Sequence, residues 1–262
     1  MYFLKLHPIS GSLIAMLVSV AFTSILFLLT HNFFKNKKKT EIETFAQQTA
    51  YRIGALHALI LSIVFSMLIS EYITLQKNLA DEAAAIGNIY EAVLSLKPEN
   101  ASRIRDQLLI YLSEVIEKEW EPTHEGAINV PTGMIIFDVY KQLKHWSPSS
   151  PYEEKIQHHV MDLLLKVGEL RIQRLLDRHH DRVPIIFWVI AVAGYILTLI
   201  PHLAVELNRF RFLLINCYAA IIGIIFYGTI LLSNPFATGL IKPTLYKTIY
   251  KQIKIVSLTN SK

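Results

Sequence analysis

Four runs of apolar residues, each long enough to cross a bilayer, limit this chain more than any other feature. They cover roughly residues 10–31, 53–75, 184–205 and 210–233. A hydrocarbon core about 30 Å thick takes about 20 apolar residues in a helix. Inside that core every backbone amide must find its partner within the protein, so each run predicts a helix. Of the 262 residues, 52% are hydrophobic, and Gln76 to Val183 forms 108 residues of ordinary amphipathic sequence between the second and third runs. The expected class is all-α: a polytopic membrane protein with four transmembrane helices and a helical extramembrane domain. The expected divisions are a first transmembrane hairpin (1–75), the extramembrane domain (76–183), a second hairpin (184–236) and a basic C-terminal tail (237–262).

The first run follows Lys5 and imitates a signal peptide. It is too long for one, no small-residue cleavage site follows, and Lys35, Lys37, Lys38 and Lys39 come directly after it, so an uncleaved span is expected. The single cysteine, Cys217, lies inside the fourth run, so the cysteine count says nothing of the redox compartment. The formal net charge is +5, but residues 76–183 hold 13 Lys/Arg against 17 Asp/Glu, so the basic excess lies beside the spans. Basic charge in that place points to anionic headgroups. No basic stripe with interleaved aromatics points to nucleic acid.

The positive-inside rule divides. Lys35, Lys37, Lys38, Lys39 and Arg52 favour a cytoplasmic 32–52 loop. A larger set, from Lys5 through Arg171, Arg174, Arg178 and Arg182 to Lys242, Lys247, Lys251 and Lys254, favours the opposite sense.

The central domain reads as helices: Leu79–Leu96, stopped by Lys97-Pro98; Ser102 to Trp120; 132–146; and a long helix from Tyr152 to about Arg182 after the break SPSSP. Such stripes can pack within one chain or between subunits.

The second run, IGALHALILSIVFSMLISEYITLQ, carries unusual polarity. Ala58, Ser62, Ser66, Ser70, Thr74 and Asn78 recur every four residues, which is one slowly drifting row on a helix. His57, Leu61, Phe65, Ile69 and Ile73 form the neighbouring row. Two readings stand. Small and hydroxylated residues let helices approach closely, with hydroxyls bonded to their own backbone. Alternatively the row faces water as a pore wall of Leu61, Ser62, Phe65, Ser66, Ile69 and Ser70, whose apolar members form a constriction. Aromatic edges are electropositive, so a ring of Phe65 edges tolerates an anion. Glu71, near the end of the run, reads as an interfacial acid paired with Lys or Arg, or as part of a gate or vestibule. His57 reads as a satisfied membrane histidine or as a second gate element.

Enzyme signatures are missing. His158-His159 with Asp162, and His179-His180 between Asp177 and Asp181, lack a further ligand at a recognisable spacing, so no metal site is expected. Glu117, Glu119, Glu121 and Glu125 around Trp120 read as an exposed acidic turn. No phosphate loop, zinc-protease motif or nucleophile elbow occurs. No cofactor and no catalytic residue are expected.

The C-terminal third reads RVPIIFW (182–188), YILTLIP (195–201) and RFLLINCYAAIIGIIFYGTILLSNPFATGLIKPTLYKTI (211–249). This resembles the closing part of bestrophin anion channels: Val-Pro entering the third span, Pro ending it, and an Asn-Pro-Phe turn after the fourth. GALHALILS (54–62), EAAAIGNIYEAV (82–93) and YLSEVIEKEW (111–120) are similar to the bacterial bestrophin-like domain. The resemblance implies a pentamer with the second span around a central pore, both termini cytoplasmic, and a cytoplasmic helical domain. It departs at SMLISEYITLQKNLADEA, where bestrophins carry an arginine-rich exit, and at Ser233, where they carry an acid. The expected function is a passive channel for small anions such as chloride in a bacterial inner membrane. Its partners are further copies of itself, membrane lipids and small anions. The alternative is a non-conducting structural or sensory module whose helical domain binds a partner.

Overall fold

The computed structural model describes residues 7–34, 40–96, 98–120, 130–179, 182–204 and 208–259. These form α1 (Pro8–Phe34), α2 (Thr40–Val93), α3 (Pro98–Glu114), α4 (Val130–His145), α5 (Pro151–His179), α6 (Ile185–Leu199), α7 (Arg209–Ser233) and α8 (Thr244–Thr259), with no strand among the described residues. A π turn, Val115–Glu119, follows α3, and a 3-10 turn, Ile200–Ala204, follows α6. Among the described residues, four helical stretches are long and apolar enough to cross a membrane: Pro8–Leu29, one within Thr44–Val93, Ile185–His202 and Arg209–Ser233. Lys5 and Lys35 to Lys39 lie outside the described residues.

The second run does not end where its apolar residues do. It continues without a break as the 54-residue α2, so the expected Leu79–Leu96 helix is the last part of that element as far as Val93, and residues 94–96 form a turn. α2 ends at Val93 and Pro98 begins α3; Lys97 lies outside the described residues. The first turn of a helix is where a missing amide donor costs nothing.

The chain divides into two compact units, Met1–Tyr72 with Asp181–Leu240, and Ile73–His180 with Ile241–Lys262. In the first, α1 and α7 pack along each other. Their approach needs small residues: a Cβ on Gly223 would lie 2.6 Å from the Ala15 carbonyl oxygen and 2.8 Å from Ser19 Cβ. Between lipid-embedded helices such contacts, together with polar links, replace the hydrophobic drive that water supplies elsewhere. The links are present. The Tyr195 hydroxyl lies 2.5 Å from Thr23 Oγ1 and 3.0 Å from Ser19 Oγ, and Ser24 Oγ donates to Asn216 Oδ1 at 3.0 Å. Phe27, Leu61, Leu68, Phe187, Ala191, Leu199, Ile215 and Ile222 form the core around Tyr195. Leu17, Val18, Ile25, Ile185 and Leu213 face outward.

Local rules set the helix ends. Asn208 caps α7 by accepting from the Arg211 amide at 2.8 Å. At the Asn-Pro-Phe turn, Asn234 Oδ1 accepts from the Ala237 amide at 3.1 Å. Gly239 there has φ 74°, a left-handed conformation that favours glycine.

In the second unit, α3 packs on α4 and α8, and α4 on α5. Leu108, Tyr111, Leu112, Val115, Val139, Val160, Leu164 and Val167 are fully buried there.

Gly223→Leu is expected to destabilise the protein by about 1–3 kcal/mol, because backbone rather than a movable side chain occupies the space. Thermal unfolding in detergent checks this; an unchanged midpoint would refute the close α1–α7 contact.

Candidate functional site

The polar row of α2 has a defined rotational setting, and His57 establishes it. Its side chain is 3% exposed. Nε2 lies 2.9 Å from the Ala191 carbonyl and Nδ1 lies 3.0 Å from the Tyr218 hydroxyl. A carbonyl only accepts, so Nε2 carries the proton and donates, leaving Nδ1 to accept from Tyr218. Gly194 makes room: a Cβ there would stand 2.5 Å from His57 Cδ2. His57 therefore fastens α2 to α6 and α7 inside the unit. It is not an exposed vestibule group on the subunit.

Leu61 follows one turn later and is 1% exposed, in the core with Leu68. This corrects the expectation that Leu61 lines a pore, because a side chain enclosed by its own subunit has no surface left for a channel wall. Phe65 is half-buried, with its ring against Gly228, where a Cβ would meet Phe65 Cε2 at 2.9 Å. Ser62, Ser66, Ile69 and Ser70 are exposed. At about 100° per residue the serine row lies roughly 160° around the helix from His57, Leu61 and Leu68. Ser62 Oγ donates to the Leu59 carbonyl at 2.9 Å, so its hydroxyl is satisfied by its own helix.

Glu71 sits at the end of this stretch and pairs with Arg182, Oε2 to Nε 3.4 Å. The carboxylate is 41% exposed and the guanidinium side chain 6%. The Arg182 amide also donates to the Ser233 carbonyl at 3.4 Å, tying the entry of α6 to the end of α7.

In the second unit the structure assembles a charged cluster that sequence reasoning missed. Glu82 is fully buried, and Glu119, Arg171 and Arg174 nearly so. Arg174 donates from Nε to Glu82 Oε2 at 2.9 Å and from Nη2 to Glu119 Oε2 at 2.9 Å. Arg171 pairs with Glu119, and Arg178 Nη1 donates to the Glu119 carbonyl. Tyr111 and Tyr246 donate to Glu82 at 2.9 and 2.7 Å. The Arg174 guanidinium also lies 5.6 Å from the ring centroids of Trp120 and Tyr246.

Glu119 was expected on an exposed acidic turn; it is 3% exposed. The π turn ending at Glu119 accounts for the difference, since a wider turn places buried residues off the 3.6-residue period. Glu121 and Glu125 lie outside the described residues. One signal was legible: Arg171, Arg174 and Arg178 share the face of α5 that holds Val160, Leu164 and Val167.

Burial, reinforced by the Glu82 charge, raises the Tyr111 and Tyr246 phenols well above their ordinary value. For Arg174, burial works against the charge, but Glu82 and the two tyrosines outweigh it and its pKa rises well above the usual value. Arg178 is lowered, first by burial and then by Arg174. Among the described residues no three His, Cys, Asp or Glu side chains converge as a metal site. His158 and Asp162 are exposed.

Four apolar helices bound by small residues and polar links, continuing into a helical unit with an internal charge cluster, define an all-helical polytopic membrane protein. The Bestrophin-like domain matches residues 17–240, and the chain belongs to that family. No curated protein matches it. Two crystal structures of a bacterial bestrophin homologue from Klebsiella pneumoniae, each carrying one substitution, share its fold. One is 15% identical with TM-score 0.66, covering 92% of this chain and 97% of the other. The second is 13% identical with TM-score 0.63, covering 92% and 98%.

Glu82→Ala is expected to cost about 3–5 kcal/mol, because it leaves Arg174 buried beside one carboxylate fewer. Chemical denaturation checks it, and a loss under 1 kcal/mol would contradict it. The raised phenols add a pH dependence. Their stabilisation is fully present below the ordinary phenol value of roughly 10 and is lost as pH climbs from there toward the folded value. Tyr246→Phe should flatten that alkaline loss in a melting-temperature series.

Proposed function

We propose that copies of this chain assemble around a common axis, as a pentamer, and passively conduct small anions such as chloride. The observation that carries this reading is the exposure of Ser62, Ser66 and Ser70 on the face of α2 nearly opposite its packed face. Hydrocarbon offers hydroxyls nothing, whereas an axis shared by several copies offers them water. Exposed Ile69, flanked by half-buried Phe65, supplies an apolar constriction of the kind that gates by dewetting. The wall is drawn without Leu61 and His57, which the subunit itself encloses.

Glu71 takes the vestibule role, its charge offset by Arg182 beside it. That pairing makes an acidic mouth compatible with anion passage. Membership of the Bestrophin-like family and the resemblance to bestrophin anion channels support the same reading. An even number of spans puts both termini and the region between the second and third spans on one side. We assign that side to the cytoplasm of a bacterial inner membrane.

The test is chloride efflux from liposomes containing the purified protein. Ser66→Leu should reduce flux several-fold while the oligomer survives, and Ile69→Ala should raise it. Flux indifferent to both would discard the assignment. A monomer in detergent with no flux would favour a non-conducting structural or sensory module instead.

A further inference from the structure

The first unit contains a cavity of about 410 Å³ that the channel reading does not use. Its walls come from the early part of α2, the end of α6 with its 3-10 turn, and α7: Ala50, Gly54 and Ala55, then Thr198 and His202, then Leu214, Ile215 and Tyr218. Each is at or near the same end of a span. The space is wide there in part because α2 lines it with the small residues Ala50, Gly54 and Ala55. Gly54 is informative. A Cβ on it would meet Thr198 Cγ2 at 3.4 Å, an ordinary contact. Close helix approach therefore does not require this glycine, as it does at Gly223. A methyl there would be in van der Waals contact with Thr198 and would take up part of the adjoining space.

We propose that this cavity holds one acyl chain of a membrane phospholipid, with the headgroup at Gln47 and His202. Its volume falls in the range of about 300–1,000 Å³ typical of ligand sites. The cavity opens widely at the surface of the helices, so a molecule from the surrounding bilayer can enter it. The chemistry selects an apolar one. The lining is mainly aliphatic and aromatic, and the Tyr218 hydroxyl already bonds His57 at 3.0 Å, so it needs no water. The bilayer supplies such a chain directly. Leu214, 52% exposed, and Tyr51, 79% exposed, flank the opening on the outer surface of spanning helices. His202 and Gln47 stand at the span ends, where a headgroup lies when its tail follows α2 inward.

The test uses the full chain in phosphatidylcholine vesicles doped with phosphatidylcholine bearing a diazirine on one acyl chain. After irradiation, adducts are mapped by mass spectrometry. Tyr218 should be labelled strongly although it is only half-exposed, alongside outward-facing Leu17 and Leu213. Ala55→Phe fills the cavity and should lower the Tyr218 adduct several-fold while leaving Leu17 unchanged. Gly54→Ala, which the fold accommodates, should give a smaller loss and guards against misfolding of the larger variant. An unchanged Tyr218 yield in both variants would overturn the proposal. So would crosslinking to a second subunit, in a separate irradiation, of a benzophenone side chain placed at position 214, which would mean that another copy fills the space. Neither result bears on conduction along the serine face.

Discussion

Two hydrogen bonds to one imidazole set the rotation of α2 about its own axis. His57 donates to Ala191 and accepts from Tyr218, while Gly194 allows the ring to come close. A helix in lipid has little hydrophobic preference between its apolar faces, because hydrocarbon solvates Leu and Ile as well as protein does. Directional polar contacts therefore decide which face turns inward. Once His57 faces inward, Leu61 and Leu68 follow it, and the serines are carried to the far side.

The two units solve the same problem under different rules. In the membrane-crossing unit, neutral hydroxyls, an amide and an imidazole link the helices, each satisfied locally. In the second unit, full charges are buried, and each finds a complement: Glu82 and Glu119 receive Arg171, Arg174, Tyr111 and Tyr246. An arrangement of this kind holds α2, the π turn, α5 and α8 in one geometry, because moving any element would strand a charge in a dry interior. The cavity beside Gly54 marks where packing in the first unit is left incomplete, in contrast to the tight α1–α7 seam.

The proposed function rests on surfaces that a single copy of the chain leaves exposed. The serine face of α2 and the outward leucines of α1 and α7 are both exposed, yet they differ in chemistry. Leucine is at rest in lipid and a row of hydroxyls is better served by water. That difference, with membership of the Bestrophin-like family, supports a conducting assembly. Ser62 bonding to its own backbone shows the cost of the alternative to be small, which is why the reading depends on position around the helix as well as residue type.

Much of the fold is legible in the sequence alone. Four apolar runs dictate helices because lipid leaves the backbone no other way to satisfy its amides. The helical central region and a Glu71 paired with a basic residue were also within reach of composition and spacing, while the Asn-Pro-Phe turn was pointed to by the resemblance to bestrophins. Three things were decided only by tertiary structure. Leu61 and Phe65 belong to one sequence row but differ in burial, since four-residue spacing drifts around the helix and only packing says where the boundary falls. Glu119 moved from a presumed solvent face to a buried one because a π turn breaks the period on which such readings depend. The Glu82–Arg174–Glu119 cluster joins residues up to 92 positions apart, and charge pairing at that separation leaves no periodic trace in a sequence.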